Sequence, residues 1–375
     1  MATIDDLLTT AAREGASDVY LKAGSFPVVR TNGEMLPAKG WPRLSHEDTW
    51  KIAGAIMSDR QKEKFKNDSE VDLSYSIPGI GRFRCSVYRQ RGTVGLVFRV
   101  ICIDIKSFSE LGLPPELTNI ANERRGLVLV TGSTGSGKST ALAAMVEHIN
   151  NTRSTHIVTI EDPIEFSFKD KKAFIVQREI ESDATSYRSA LHGALRQNPD
   201  VILVSELRDL ETTETVLMAA ASGTLVLSSM QTLDATETIQ RIISMYPSQQ
   251  QAGVRMQLAT SLRAIVSMRL IRRAGGVGRV PAAEVMKMTN LIRECIVQPE
   301  RTATIRELIA KGRAELGMQT FDQSLLDLYT RKIISLDDAL LVATVPDDFK
   351  LAVKGLQVAT PGQLLHQSSQ SATVI

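Results

Sequence analysis

Apolar residues recur at helical intervals at the start of the chain. Ile4, Leu7, Leu8 and Ala11 predict a short amphipathic helix within residues 1–20. The period then changes. Val19-Tyr20-Leu21 opens an extended stretch, and Phe26-Pro27-Val28-Val29-Arg30 leads to Asn32-Gly33, a turn signal that predicts a hairpin. A helical stretch over 45–66 follows. Two strands are expected on either side of Pro78-Gly79, and Arg82–Gln90 with Val94–Val100 alternates as another hairpin. Residues 1–102 therefore read as a small α+β unit.

Ser107, Gly112 and Pro114-Pro115 mark 103–115 as a linker. Beyond it, short apolar runs at Leu127–Thr131, His156–Ile160, Val201–Val204 and Leu225–Ser228 alternate with helical segments. That alternation is the βαβ pattern of a parallel sheet covered by helices, so 116–355 reads as an α/β domain. From about residue 290 the pattern is helical again, with Met318, Phe321, Leu325 and Leu328 close to one face and a helix start at Ser335-Leu336-Asp337-Asp338. The stretch 356–375 is rich in Gln, Ser and Thr and is expected to be disordered.

Composition narrows the classes. With 43% hydrophobic residues over 375 positions, the chain is fit to bury cores and is not largely disordered. Lys and Arg number 44 against 42 Asp and Glu, a net charge of +2 that lacks the basic excess of a dedicated polyanion binder, so no nucleic-acid partner is expected. Cys85, Cys102 and Cys295 are too few and too scattered for a disulfide framework or a paired-thiolate zinc site. The sparse, odd cysteine count fits a reducing cytosol, and no apolar run approaches membrane-span length, so a soluble protein with no integral membrane segment is expected.

The strongest chemical signal is Gly132-Ser133-Thr134-Gly135-Ser136-Gly137-Lys138-Ser139, followed by Thr140, which matches GxxxxGK[ST]. It stands between an apolar strand and a helical stretch, the context a phosphate loop needs. Its glycines let backbone N–H groups close around phosphate oxygens. Lys138 suits the β- and γ-phosphates of ATP, and the Ser139 hydroxyl suits Mg²⁺. The strand Val201–Val204 ends in Ser205-Glu206, and its tip is expected beside that loop. There Glu206 is able to hold Mg²⁺ through water or orient the attacking water. The strand His156–Ile160 ends in Glu161-Asp162-Pro163, and extended geometry points the two carboxylates to opposite sides. One of them is a candidate general base. Arg84 and Arg99 read by themselves as a solvated hairpin face, and Arg269, Arg272 and Arg273 as a solvated loop before Gly275-Gly276.

Several longer segments carry a resemblance. Ala16-Ser17-Asp18-Val19-Tyr20-Leu21 and Arg30-Thr31-Asn32-Gly33, the box Thr159-Ile160-Glu161-Asp162-Pro163-Ile164-Glu165, and Asn198-Pro199-Asp200 through Thr212 resemble the secretion-type ATPases. Met318-Gln319-Thr320-Phe321-Asp322-Gln323 is similar to a signature of their type IV pilus retraction ATPase family. The resemblance spans nearly all of 1–355. It implies a PAS-like α+β domain followed by a RecA-like P-loop NTPase domain with a helical C-terminal part. It also implies a homo-hexamer that binds and hydrolyses ATP with Mg²⁺ to power pilus retraction and twitching motility. Such a ring works at the cytoplasmic face of the inner membrane on a membrane pilus platform protein, with a paralogous retraction ATPase as a further partner. Glu161 would be the catalytic glutamate and Glu206 the Walker B glutamate. Arg84 and Arg99 would be the arginines that a subunit inserts into a nucleotide site.

This chain departs from the family at its His box. Thr224 and Gln231 stand where the two histidines belong, and Tyr20 replaces a further histidine. Neither Thr nor Gln carries charge, although Gln keeps donor and acceptor capacity. The replacements imply slower turnover and leave two functions open: a retraction motor, or a nucleotide-binding accessory or regulatory subunit with partner-dependent hydrolysis. The assembly and type II secretion ATPases are a third reading, opposed by the absence of their tetracysteine insert.

Overall fold

The computed structural model describes residues 3–31, 33–101 and 104–355. Cys102, Asn32 and the 356–375 stretch expected to be disordered lie outside the described residues. The chain forms two compact units. The first holds the described residues up to 105 together with 160–170 and 177–190; the second holds 106–159, 171–176 and the described residues from 191 on.

The first unit opens on the helix Ile4–Arg13, started by a capping box between Thr3 and Asp6. Its stripe Leu7, Leu8 and Ala11 is buried. Six strands follow: β1 (Asp18–Lys22), β2 (Val28–Thr31), β3 (Glu34–Pro37), β4 (Glu70–Ile77), β5 (Gly81–Gln90) and β6 (Thr93–Val100). They form one sheet in the order β3-β2-β1-β6-β5-β4, antiparallel throughout. The helical stretch expected over 45–66 is two helices, His46–Ile56 and Asp59–Asp68. Met57 is extended, and Ser58 caps the second helix with Gln61.

Alternation on β5 and β6 decides where the arginines go. Phe83, Cys85 and Val87 on β5 and Val94, Leu96 and Phe98 on β6 enter the core with Phe65. Arg84 and Arg99 therefore leave the sheet on its other face, where they sit directly opposite one another.

The second unit is built on β7 (Gly126–Thr131), β8 (His156–Glu161), β9 (Phe174–Glu179), β10 (Val201–Val204), β11 (Leu225–Met230), β12 (Leu262–Arg272) and β13 (Arg279–Lys287). β8 and β9 run on from it into the first unit. The order is β13-β12-β7-β11-β10-β8-β9. β7, β11, β10 and β12 pair in parallel, and β12 with β13 antiparallel. All six residues of β7 and of β11 are buried, as a central strand covered on both faces requires. Helices Phe321–Thr330, Leu336–Val342 and Pro346–Val353 are the last elements of the described residues and pack Leu325, Leu328, Ala339 and Phe349 against Ile271, Val280 and Ala282 of the β12–β13 hairpin.

Three expectations change. The stretch 103–115 is not a free linker over its described length. Ser107 caps the short helix Phe108–Leu111, and Phe108 and Leu113 are buried in the second unit. The segments 160–170 and 177–190, read as part of the second domain, pack with the first. The sheet has more strands than the four apolar runs predict, since β9, β12 and β13 join it. β12 follows the helix Ser248–Ser261 without an intervening turn residue, so its apolar run continues a helical one.

Candidate active site

β7 delivers the phosphate loop. Thr131 closes the strand, and Gly132 turns the chain at φ 142°. A Cβ at Gly132 would lie 2.5 Å from the Met268 carbonyl oxygen and from Ser136 Oγ, so only glycine fits. Gly137, at φ 95°, sits at the start of the helix Lys138–Thr152. No side chain caps that helix start, which leaves its first N–H groups and its dipole for an anion. Lys138 Nζ donates to the carbonyls of Gly132 at 2.8 Å and Ser133 at 3.0 Å, so it lies over the loop. Ser136 is buried, and its Oγ has no hydrogen-bond partner among the described residues. A buried hydroxyl left in this way costs about 1–3 kcal/mol, which a phosphate oxygen would offset. Ser133, Thr134, Gly135 and Ser139 are exposed, and Thr140 is half-buried.

A cavity of about 330 Å³ opens beside the loop. Leu233, Met268, Leu270 and Val342 give it apolar walls, and Arg269 and Arg279 give it cations. Its mixed lining suits a phosphorylated ligand with a flat apolar part. Arg269 is not in a solvated loop. It lies on β12, with its guanidinium 3.9 Å over the Phe321 ring, and donates to the Val342 carbonyl. Burial pushes its pKa below the ordinary arginine value. Arg272 and Arg273 are exposed.

Glu206 follows β10, two residues beyond Val204. Its strand is not the neighbour of β7, because β11 is inserted between them. β11 fixes the position of the acidic segment: Ser228 Oγ donates to the Val204 carbonyl at 2.7 Å, Ser229 Oγ to the Ser205 carbonyl at 2.6 Å, and Leu207 N–H to the Ser229 carbonyl at 2.9 Å. The Glu206 carboxylate accepts from Arg208 Nε at 2.6 Å and is largely sheltered. Glu206 and the Ser139 hydroxyl are oxygen donors of the kind that could hold Mg²⁺ alongside water and phosphate.

The two His-box positions lie at opposite ends of β11. Met230 pairs with Thr131, so Gln231 leaves the strand at the end where the phosphate loop begins, and it is exposed. Thr224 precedes the strand. It is buried, its carbonyl accepts from Gly126 N–H at 3.0 Å, and its hydroxyl reaches the Pro199 carbonyl at 3.5 Å. Six strand residues at about 3.3 Å each separate the two positions by roughly 20 Å.

Glu161 and the arginines belong to the first unit. Glu161 is 6% exposed, whereas Asp162 is exposed, as alternation predicts. Gln177 Nε2 donates to Glu161 Oε1 at 3.1 Å. Arg84 pairs with Asp72 at 2.9 Å and Arg99 with Asp18 at 3.0 Å. Asp18 is buried, while the Arg99 side chain is 70% exposed. Both guanidiniums thus combine a carboxylate anchor with solvent access, and the exposed Arg84–Asp72 pair exchanges partners at small cost, about 0–1 kcal/mol. Sequence reasoning did not single out Gln177, Asp18 or Asp72 as site residues. Their partners come from other strands; nothing in the local sequence marks Gln177 or Asp72, and Asp18 stands out only as part of a longer resembling segment.

Residues 68–334 match the family model described as Type II/IV secretion system protein. The type IV pilus retraction ATPase PilT of Pseudomonas aeruginosa is 41% identical over 346 residues, which cover 92% of this chain and 99% of that protein. The type IV pilus ATPase PilU of the same organism is 38% identical over 352 residues, covering 93% and 91%. The crystal structure of the pilus retraction motor PilT with bound ADP matches with a TM-score of 0.83 at 42% identity, over 93% of this chain and 99% of that one.

Proposed function

The chain belongs to the Type II/IV secretion system protein family, among the type IV pilus retraction ATPases, and we propose that it is an ATP-hydrolysing motor of pilus retraction. The observation that carries this reading is the phosphate loop itself: an uncapped helix start, glycines that admit a close backbone turn, and a buried Ser136 hydroxyl in want of a partner. Loop N–H groups and Lys138 would bind the phosphates, and the apolar wall of Leu233, Leu270 and Val342 would take the base. Mg²⁺, held by Ser139 directly and by Glu206 partly through water, would neutralise charge on the β- and γ-phosphate oxygens. Glu161 would take a proton from the attacking water as its oxygen bonds to the γ-phosphorus. The bond to the bridging β–γ oxygen breaks, giving ADP and inorganic phosphate. Arg84 and Arg99 of one subunit would offset charge on the transferring group in its neighbour.

Such a motor would work as a homo-hexamer at the cytoplasmic face of the inner membrane. Its domain motion would be passed to a pilus platform protein. Among the described residues no helix is long and apolar enough to cross a membrane, so docking there would run through protein contacts. Glu206→Gln tests the assignment. Hydrolysis is expected to fall at least a hundredfold while ATP affinity changes less than about threefold; retained turnover would sink it. One observation favours a second reading, an accessory or regulatory paralogue. Gln231, at the phosphate-loop end of β11, is uncharged where the family has histidine. An assay of the purified protein alone and mixed with a paralogous retraction ATPase separates the two.

A further inference from the structure

The Gln177 amide is used at both ends. Its Nε2 donates to Glu161 Oε1 at 3.1 Å and to the Phe166 carbonyl at 2.9 Å, and its Oε1 accepts from Phe168 N–H at 2.9 Å. A backbone carbonyl only accepts and a backbone N–H only donates. The two phenylalanine contacts therefore fix which end of the amide faces Glu161, and that end is the donor. β9 is itself held. Two residues on, the buried Glu179 carboxylate accepts from Ser74 Oγ at 2.7 and 2.8 Å and pairs with Arg82. Ile180 N–H donates to the Glu161 carbonyl at 2.9 Å. Side chain and backbone of Glu161 thus both meet the same short segment.

We propose that Gln177 is a positioning residue for hydrolysis, which holds the Glu161 carboxylate in one orientation and in its anionic form. The proposal rests on Glu161 acting as the base. A carboxylate that accepts an N–H is stabilised in its charged state, and loss of the donor raises its pKa. Arg82 and Glu179 brace the strand that presents the amide.

The test is single-turnover ATP hydrolysis by the full chain in excess over ATP, across a pH series, so that a slow chemical step is still read. Gln177→Met keeps the length of the side chain and removes the amide. It is expected to lower the single-turnover rate constant about tenfold, a part of the roughly 10²–10⁴-fold that general-base catalysis supplies. Its acid limb should move to higher pH, with ATP affinity unchanged. An unchanged rate and acid limb overturn the proposal. So does a loss of rate together with ATP affinity and melting temperature while the acid limb stays in place, since that is a structural effect alone. Gln177→Asn, which withdraws the same amide by one methylene, carries the test if the methionine variant does not fold. Glu161→Gln is measured in parallel. Retained hydrolysis there removes the base assignment and the proposal with it, whereas abolished hydrolysis with an indifferent Gln177→Met removes the positioning role only.

Discussion

Gln231 leaves β11 one position beyond the Met230–Thr131 pair, and Thr224 enters the same strand at its far end. They occupy the two positions of one sequence box, but only Gln231 shares an edge with the phosphate loop. If these are the family's His-box positions, as the resemblance implies, their effect on the γ-phosphate falls on Gln231. A neutral amide there offers hydrogen bonds without charge. Gln231→His is expected to raise kcat about fivefold near pH 6, where imidazole is largely protonated, and to leave it unchanged near pH 8. A partly solvated cation beside developing negative charge supplies about 1 kcal/mol, and about 1 kcal/mol corresponds to about fivefold in rate. A steady-state rate equal to wild type at both pH values shows that this residue does not limit turnover.

Strand β13 carries a carboxyl group that the chemistry does not use. Glu284 is 4% exposed and accepts Ala235 N–H at 2.9 Å at the start of the helix Ala235–Ser244. It lies opposite Ser267 of β12, which in turn receives a 2.8 Å hydrogen bond from Thr131. Burial pushes the Glu284 pKa up to about 7, with Asp234 adding to the rise and the Ala235 N–H, Arg306 and Arg269 opposing it. The folded protein holds this proton between about pH 4.5 and 7, where the unfolded chain releases it. Stability from this group is therefore present at low pH and is lost as pH rises through that window. Glu284→Gln imitates the protonated form and keeps the acceptor for Ala235. Urea unfolding at pH 5 and pH 8 should show the variant close to wild type at pH 5. At pH 8 it should be more stable by about 2 kcal/mol; equal stability at both would mean that the carboxylate is accommodated.

At the scale of the whole molecule, the proposed mechanism assigns the two arginines on the outer face of the first sheet to a neighbouring subunit's site. Each is pre-oriented by a carboxylate and remains solvent-accessible. A ring in which one subunit completes its neighbour's site predicts complementation. Arg99→Ala and Glu206→Gln should each be nearly inactive alone. Mixed in equal amounts and reassembled at random, they should regain about a quarter of wild-type turnover, the share of interfaces that carry both wild-type groups. Turnover no greater than the sum of the separate variants would show that Arg99 does not act across subunits.

Local patterns fixed much of this. The Leu127–Thr131 run reappears as Gly126–Thr131, and the helix start at Ser335 and the spacing of the phosphate loop held because turn residues, caps and periodicity act over a few neighbouring residues. The paired acids at the ends of β8 and β10 were legible for the same reason. Strand order was not. The insertion of β11 between β7 and β10, the association of 160–170 and 177–190 with the first unit, and the burial of Arg269 over Phe321 depend on contacts between residues far apart in the chain. So does the Gln177–Glu161 bond. The sequence by itself marked which groups are candidates for chemistry on a phosphate. Only the tertiary structure decided which of them meet, because strand order and side-chain burial are set by packing across the sheet rather than along it.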